Sequence, residues 1–300
     1  MASLKVLRRR IRSITSTQQI TKAMEMVAAA KLRRAQARAQ ATRPYAARLT
    51  AMLERVAAVA RERELTDPVL AAPAADAEGT TLLVVVTSDR GMCGGFNTTL
   101  FRVVEERLRT AAPGTLELVV VGRKGRDYGA SRGWPVTASY PDVGTDAGVD
   151  FARRVTDDVL GRFRAAGAAG GSGAGGVVRV ELLYTHFVTV LRREVAMETF
   201  LPVGARADAT TVPPAGDVLL EPGLGAVLAD LLPRFATARM LAALADSRAS
   251  EEGARMTAMG AASKNAGELL DALVLQRNRL RQTMITREIL DIVGGAEALA

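Results

Sequence analysis

The chain has 300 residues and a mass of 31.7 kDa; 48% are hydrophobic, 24% charged and only 4% aromatic, which excludes a disordered polypeptide and calls for a core of Ala, Val, Leu and Met. One cysteine, Cys93, excludes an intramolecular disulfide, and one histidine, His186, leaves zinc sites and His-based triads without ligands or bases; a carboxylate metal site stays open, but no catalytic, cofactor-binding or metal-binding residue is singled out. The net charge of +8 points to an acidic partner but is unevenly placed: residues 1–48 hold 12 Lys or Arg against Glu25 alone, a net of +11, and the remainder is −3.

The N-terminal segment reads as one helix. Alternate steps of three and four pass through Leu4, Leu7, Ile11, Ile14, Gln18, Thr21, Glu25, Ala28, Leu32, Ala35, Ala39, Thr42, Ala46, Leu49, Leu53, Val56 and Ala60, a coiled-coil stripe. Three of its four polar positions cluster at Gln18, Thr21 and Glu25, where the seam is expected to change partner or meet solvent. Pro44 predicts a kink or local break. A helix over residues 3–63 spans about 90 Å and needs a partner helix to cover its stripe. The N-terminus has no apolar segment for a secretory signal, and its pattern outruns a transit peptide.

The middle of the chain alternates strands and helices. Thr81–Thr87 and Leu116–Val121 read as buried strands, Val136–Tyr140 as a third, and Thr98–Leu108 and Asp146–Phe163 as helices. Val177–Val188 and Glu194–Leu201 read as two strands joined by a hairpin near Leu191-Arg192. Residues 165–176 (AAGAAGGSGAGG) read as a flexible loop, and 64–79 and 202–223 as connectors. A second helical pattern follows, with Pro233 suited to a first turn and Met256, Met259, Ala266, Leu270, Leu273, Leu280 and Met284 on one stripe. Gly253, Gly260 and Gly267 weaken that helix and permit another backbone to approach. The expected fold is thus α/β with a long antiparallel coiled coil: an N-terminal coiled-coil helix (1–63), a Rossmann-like α/β domain (80–202) inserted in the middle, and a C-terminal coiled-coil helix (223–300) pairing with the first.

Little in this sequence promises chemistry. The first loop after a strand, Ser88-Asp89-Arg90-Gly91-Met92-Cys93-Gly94-Gly95-Phe96-Asn97, matches neither dinucleotide nor phosphate-loop spacing and reads as a strand-to-helix turn capped by Asn97 or Thr98. Cys93 lacks a neighbouring base, and His186 sits in an apolar strand as a structural residue. Leu82–Val86 is the longest strand-like apolar run, far short of the roughly 20 residues of a membrane span. The Met24-Glu25-Met26 stretch beside Lys22 is the more promising surface, because Met adapts to changing interfaces. A basic coiled coil also suits nucleic acid, although Tyr45 is the only aromatic in residues 1–63.

Four motifs resemble the gamma subunits of bacterial F-type ATP synthases. These are Arg10–Ile14 with Thr17–Leu32, Ser88–Gly94, Ser250–Ala266, and Ile285-Thr286-Arg287-Glu288-Ile289-Leu290-Asp291-Ile292-Val293-Gly294-Gly295-Ala296, the last similar to the family signature (Ile285, Thr286, Glu288, Asp291, Gly295, Ala296). The resemblance implies a central rotor shaft without chemistry of its own, turned by a proton-driven c-ring inside a catalytic hexamer. The implied partners are the alpha, beta and epsilon subunits and the c-ring, with no nucleic acid and only indirect membrane contact, peripheral on the cytoplasmic side of the cell inner membrane. It implies rotor–stator coupling through Met24, Arg281, Gln282 and Thr286, a c-ring or epsilon contact near Glu221, and an apolar sleeve around Ile289–Leu299. No cysteine-bearing regulatory insert is present, which argues against thiol control.

Overall fold

The computed structural model describes residues 4–64, 69–70, 79–144, 148–168, 176–203 and 220–297. The elements run α1 (Leu4–Glu62), β1 (Thr80–Val86), α2 (Phe96–Thr110), β2 (Leu116–Val121), α3 (Arg123–Arg132), β3 (Val136–Tyr140), α4 (Val149–Ala168), β4 (Val177–Phe187), β5 (Arg193–Leu201) and α5 (Leu224–Glu297). They form two compact units: Met1–Ala29 with Arg255–Ala300, and Ala30–Ala254. Helices α1 and α5 each run through both.

In the Ala30–Ala254 unit, β1 to β4 are parallel and β5 joins antiparallel at the edge, in the order β3-β2-β1-β4-β5. The apolar runs of β1 and β2 are buried throughout, as strands covered on both faces must be. One face packs Leu82, Val84, Val119 and Leu182 against Val155 and Val159 of α4, Leu53 of α1 and Phe235 of α5. The other packs Leu83, Val85, Leu118 and Leu183 against Leu100 and Val104 of α2 and Trp134. Complete burial of Leu53 or Phe235 stabilises the fold by about 1.5–3 kcal/mol each.

Helix α3 has no apolar stripe to announce it (RKGRDYGASR). It forms because Gly125 and Gly129 let it lie flat on the sheet. A Cβ on Gly125 would fall 2.6 Å from Val120 and 2.7 Å from Thr87, and the Gly125 N–H instead donates to Thr87 Oγ1 at 3.0 Å. Gly122, with φ of 101°, makes the turn into α3.

Pro44 breaks no helix and Pro233 starts none. Pro44 lies inside an unbroken α1, and Pro233 lies well inside α5, which starts at Leu224 rather than near the proline. Each removes a bond to the carbonyl four residues earlier, on Gln40 and Ala229, and both of those residues are exposed, so the freed carbonyls are not trapped in the core. Helix α2 likewise begins at Phe96, with Gly95 as its N-cap and no side-chain cap, rather than at Asn97 or Thr98. Of the expected 165–176 loop, 165–168 complete α4 and 169–175 lie outside the described residues.

In the Met1–Ala29 and Arg255–Ala300 unit, α1 and α5 run antiparallel. Glu25 faces Gly260 and Gln18 faces Gly267, seven residues further along each helix. The three polar stripe residues are therefore half-buried rather than released to solvent. Glycine on α5 supplies their space, and what it admits is the side chains of Gln18 and Glu25 rather than a close backbone. In the Ala30–Ala254 unit the same two helices meet at Leu32 and Gly253, and again through Arg43 and Asp246.

Candidate functional site

The loop after β1 is closed on itself. Asn97 Nδ2 donates to Ser88 Oγ at 2.7 Å, the Ser88 N–H donates to Asn97 Oδ1 at 3.1 Å, and Cys93 is buried between them. Asp89 Oδ1 accepts the backbone N–H groups of Arg123 and Asp142, and Arg123 pairs with Asp142. That pairing holds the Arg123 guanidinium above its usual pKa. His186 bonds through Nδ1 to Asp246 Oδ2 at 2.7 Å. Among the described residues, no group of three or more His, Cys, Asp or Glu side chains could hold a metal, and no helix is long and apolar enough to cross a membrane.

Two tyrosines anchor the sheet through carboxylates. Tyr184 donates to Glu198 Oε1 at 2.7 Å, and Glu198 also pairs with Arg239 of α5. Burial, then the Glu198 charge, raises the Tyr184 pKa strongly. Burial and a bond to Asp158 push Tyr140 up to about 12.

The notable surfaces lie on the helices. In the Met1–Ala29 and Arg255–Ala300 unit, a shallow groove of about 640 Å³ runs beside the Glu25–Gly260 contact, lined in part by Lys22, Met26, Ser263 and Lys264. Lys22 Nζ bonds Glu25 Oε2 at 3.1 Å across its edge. Met24 is half-buried and does not line the groove; its neighbour Met26, 60% exposed, does. Motif matching singled out Met24. The extra signal for Met26 is its place off the apolar stripe.

Two further heptads of the same register carry Ile11 to Val274, both half-buried, and Leu4 to Arg281. From Arg281 to Gly294 every residue is exposed, including Ile285, Ile289, Leu290, Ile292 and Val293. Arg281, Gln282 and Thr286 therefore share a stretch where α5 runs past the first described residue of α1. Gln282 and Thr286 are one turn apart on the same face. Glu288 and Asp291 belong to the same exposed stretch. Gly295 and Ala296 fall in the last turn of α5, and their side-chain surroundings lie outside what is described. Met24 is not brought to these residues: its level on α5 lies about 30 Å back along the axis. Glu221 belongs to the other unit, exposed just ahead of α5.

A family model described as ATP synthase matches residues 3–299. The ATP synthase gamma chain of Moorella thermoacetica is 41% identical over 299 residues, covering all of both chains, and that of Anaeromyxobacter dehalogenans is 42% identical over 305, again covering both completely. Among solved structures, a chain of the Tetrahymena thermophila mitochondrial ATP synthase central stalk and c-ring aligns with a TM-score of 0.60 at 28% identity, covering 81% of this chain and 99% of that one. A chain of the Euglena gracilis mitochondrial enzyme aligns with a TM-score of 0.65 at 20% identity, covering 99% and 94%, a likeness of fold. The chain belongs to the ATP synthase gamma-chain family.

Proposed function

We propose that this chain is the central rotor shaft of an ATP synthase, passing torque between a proton-driven c-ring and the alpha/beta catalytic hexamer while performing no chemistry itself. The observation that carries this reading is the exposed end of α5. Apolar side chains project on all sides between Arg281 and Gly294, and among the described residues α1 reaches no further than the level of Arg281. Such a surface is costly in water, and it suits a greasy sleeve in which few directional bonds oppose turning. The +11 segment of α1 would meet acidic loops of the surrounding subunits, attractive yet screened enough to slip.

In this reading residues 1–63 and 223–300 make the shaft and 80–202 the base. Met24 passes a lever of the beta subunit, and Arg281, Gln282 and Thr286 form a polar catch that favours particular rotary positions. Glu221 stands near the c-ring or the epsilon subunit. The chain is peripheral, on the cytoplasmic side of the cell inner membrane, reaching the bilayer only through the c-ring. The relatives offer no support for the nucleic-acid reading of the basic helix. The test is reconstitution with alpha and beta subunits: the chain co-elutes with them and supports ATPase activity. Absence of a stable complex, together with DNA binding at moderate salt, overturns the proposal.

A further inference from the structure

Within the Ala30–Ala254 unit, α5 changes sides of the sheet. Phe235, Met240 and Leu244 belong to the core on the α4 face, and Ala254 belongs to the core on the α2 face. Between them the helix crosses the carboxyl end of β4. In this sheet that end adjoins the point between β1 and β4 where the strand order reverses, the place at which open α/β sheets usually bind a ligand. Here the chain's own helices occupy it.

The occupation is polar and specific. Pairing between β1 and β4 ends at Val85 with Leu183. Two residues further along β4, the Thr185 N–H donates to Ser247 Oγ at 3.2 Å, and Ser250 Oγ donates to the Thr185 carbonyl at 3.1 Å. Asp246, 6% exposed, accepts from Arg43 Nε at 3.2 Å and from a terminal Arg43 nitrogen at 2.9 Å, and bonds His186 at 2.7 Å. The same Arg43 nitrogen also donates to the Phe187 carbonyl at 2.8 Å. One carboxylate thus ties both terminal helices and strand β4 together. Apolar packing resists separation, but it is non-directional and permits sliding. Charge-assisted bonds to backbone atoms fix an angle.

We infer that Arg43, His186 and Asp246, with Ser247 and Ser250, form the torque joint of this chain: a clasp at the end of β4 that locks both helices against rotation relative to the sheet. These are positioning residues, and the assignment rests on the shaft reading. The joint holds the angle at which force applied to the sheet enters the helix pair. Without it the helices still pack but yield under load, so ATP hydrolysis and proton movement lose their fixed ratio.

The test uses the whole synthase in sealed phospholipid vesicles, carrying Asp246→Asn, Arg43→Gln or Arg43→Lys. ATP hydrolysis and ATP-driven proton uptake, followed by quenching of an acridine dye, are read on the same vesicles. Hydrolysis is expected near the native rate. Protons moved per ATP should fall about tenfold in Asp246→Asn and Arg43→Gln, as for loss of a bond to a charged group. Arg43→Lys, which keeps the charge, should recover most of the ratio. A bead tethered through Leu191→Cys on the exposed β4–β5 hairpin should show wider angular fluctuation in the two uncoupled variants. Should Asp246→Asn not assemble, Arg43→Gln decides, since it leaves Asp246 bonded to His186. Loss of assembly in both assigns the cluster to folding alone and overturns the inference. A native chain that supports no ATPase with alpha and beta overturns the shaft reading; a native complex that couples, with variants that pump and fluctuate as it does, overturns only the clasp.

Discussion

A Cβ placed on Gly267 of α5 would lie 2.9 Å from Gln18 Nε2 of α1, and nothing else comes within 4 Å. The neighbour is the far end of a flexible side chain, which can turn aside. At Gly122 the same construction meets the Thr87 carbonyl oxygen at 2.3 Å, in a backbone with φ of 101°. Gly267→Ala should therefore raise stability by up to about 1 kcal/mol, the helix preference of Ala over Gly. Gly122→Ala should lower it by about 2–3 kcal/mol or more through backbone strain and the clash. Urea unfolding of the two variants, followed by circular dichroism, checks both signs.

Met24→Lys should leave secondary structure and assembly with alpha and beta intact while lowering ATP-driven proton pumping more than ATP hydrolysis. Met24 is half-buried in a seam whose neighbours already include charged and polar groups, so a longer cation can leave the seam toward solvent. Equal losses of assembly and coupling would assign the residue to folding. The paired measurement of hydrolysis and pumping on one preparation decides it.

The double change Arg281→Ala with Gln282→Ala should reduce turnover of the assembled complex by about tenfold, if one or two charge-assisted bonds per cycle are lost. Stability of the chain should be unaffected, because both residues are exposed. Steady-state ATPase activity of purified complex reads the first effect and thermal unfolding of the chain the second. Unchanged ATPase activity removes the catch assignment.

Tyr140 titrates near 12 in the fold because burial and Asp158 disfavour its anion, against 10 in an exposed chain, and Tyr184 is raised as well. A tyrosine whose pKa is raised on folding contributes full stability below pH 10, and that contribution is lost as pH climbs from about 10 to about 12. Stability measured by denaturant across this window should fall. Tyr140→Phe, which has no proton to lose, should flatten the decline; an unchanged slope would show that Asp158 and burial do not hold the phenol.

The sequence alone was enough for most elements, because their signals are local. The apolar runs of β1 and β2, the β4–β5 hairpin and the stripes of α1 and α5 are each repeated within a few residues. Helix α3 was illegible for the opposite reason: its glycines matter against residues outside the helix, Thr87 and Val120 at Gly125 and Trp134 at Gly129, so no pattern within the helix marks them. The local rule for proline did not foresee α1 continuing through Pro44 or α5 starting ahead of Pro233, because it ignores whether solvent reaches the freed carbonyl. Among site residues, motif matching pointed to Met24, Arg281, Gln282, Thr286 and Glu221. It could not show that the middle three stand on an exposed stretch of α5 while Met24 sits in a seam with glycines opposite Gln18 and Glu25.

What the sequence determined by itself was the period of each segment and the placing of charge, since periodicity and charge are properties of neighbours in the chain. What only the tertiary structure decided was which polar groups meet. Arg43 and Asp246 are 203 residues apart, and neither carries any mark of the other. Their pairing with His186 follows from α5 crossing the end of β4, where Thr185 has passed the last residue paired with β1 and its N–H and carbonyl are satisfied by side chains of α5.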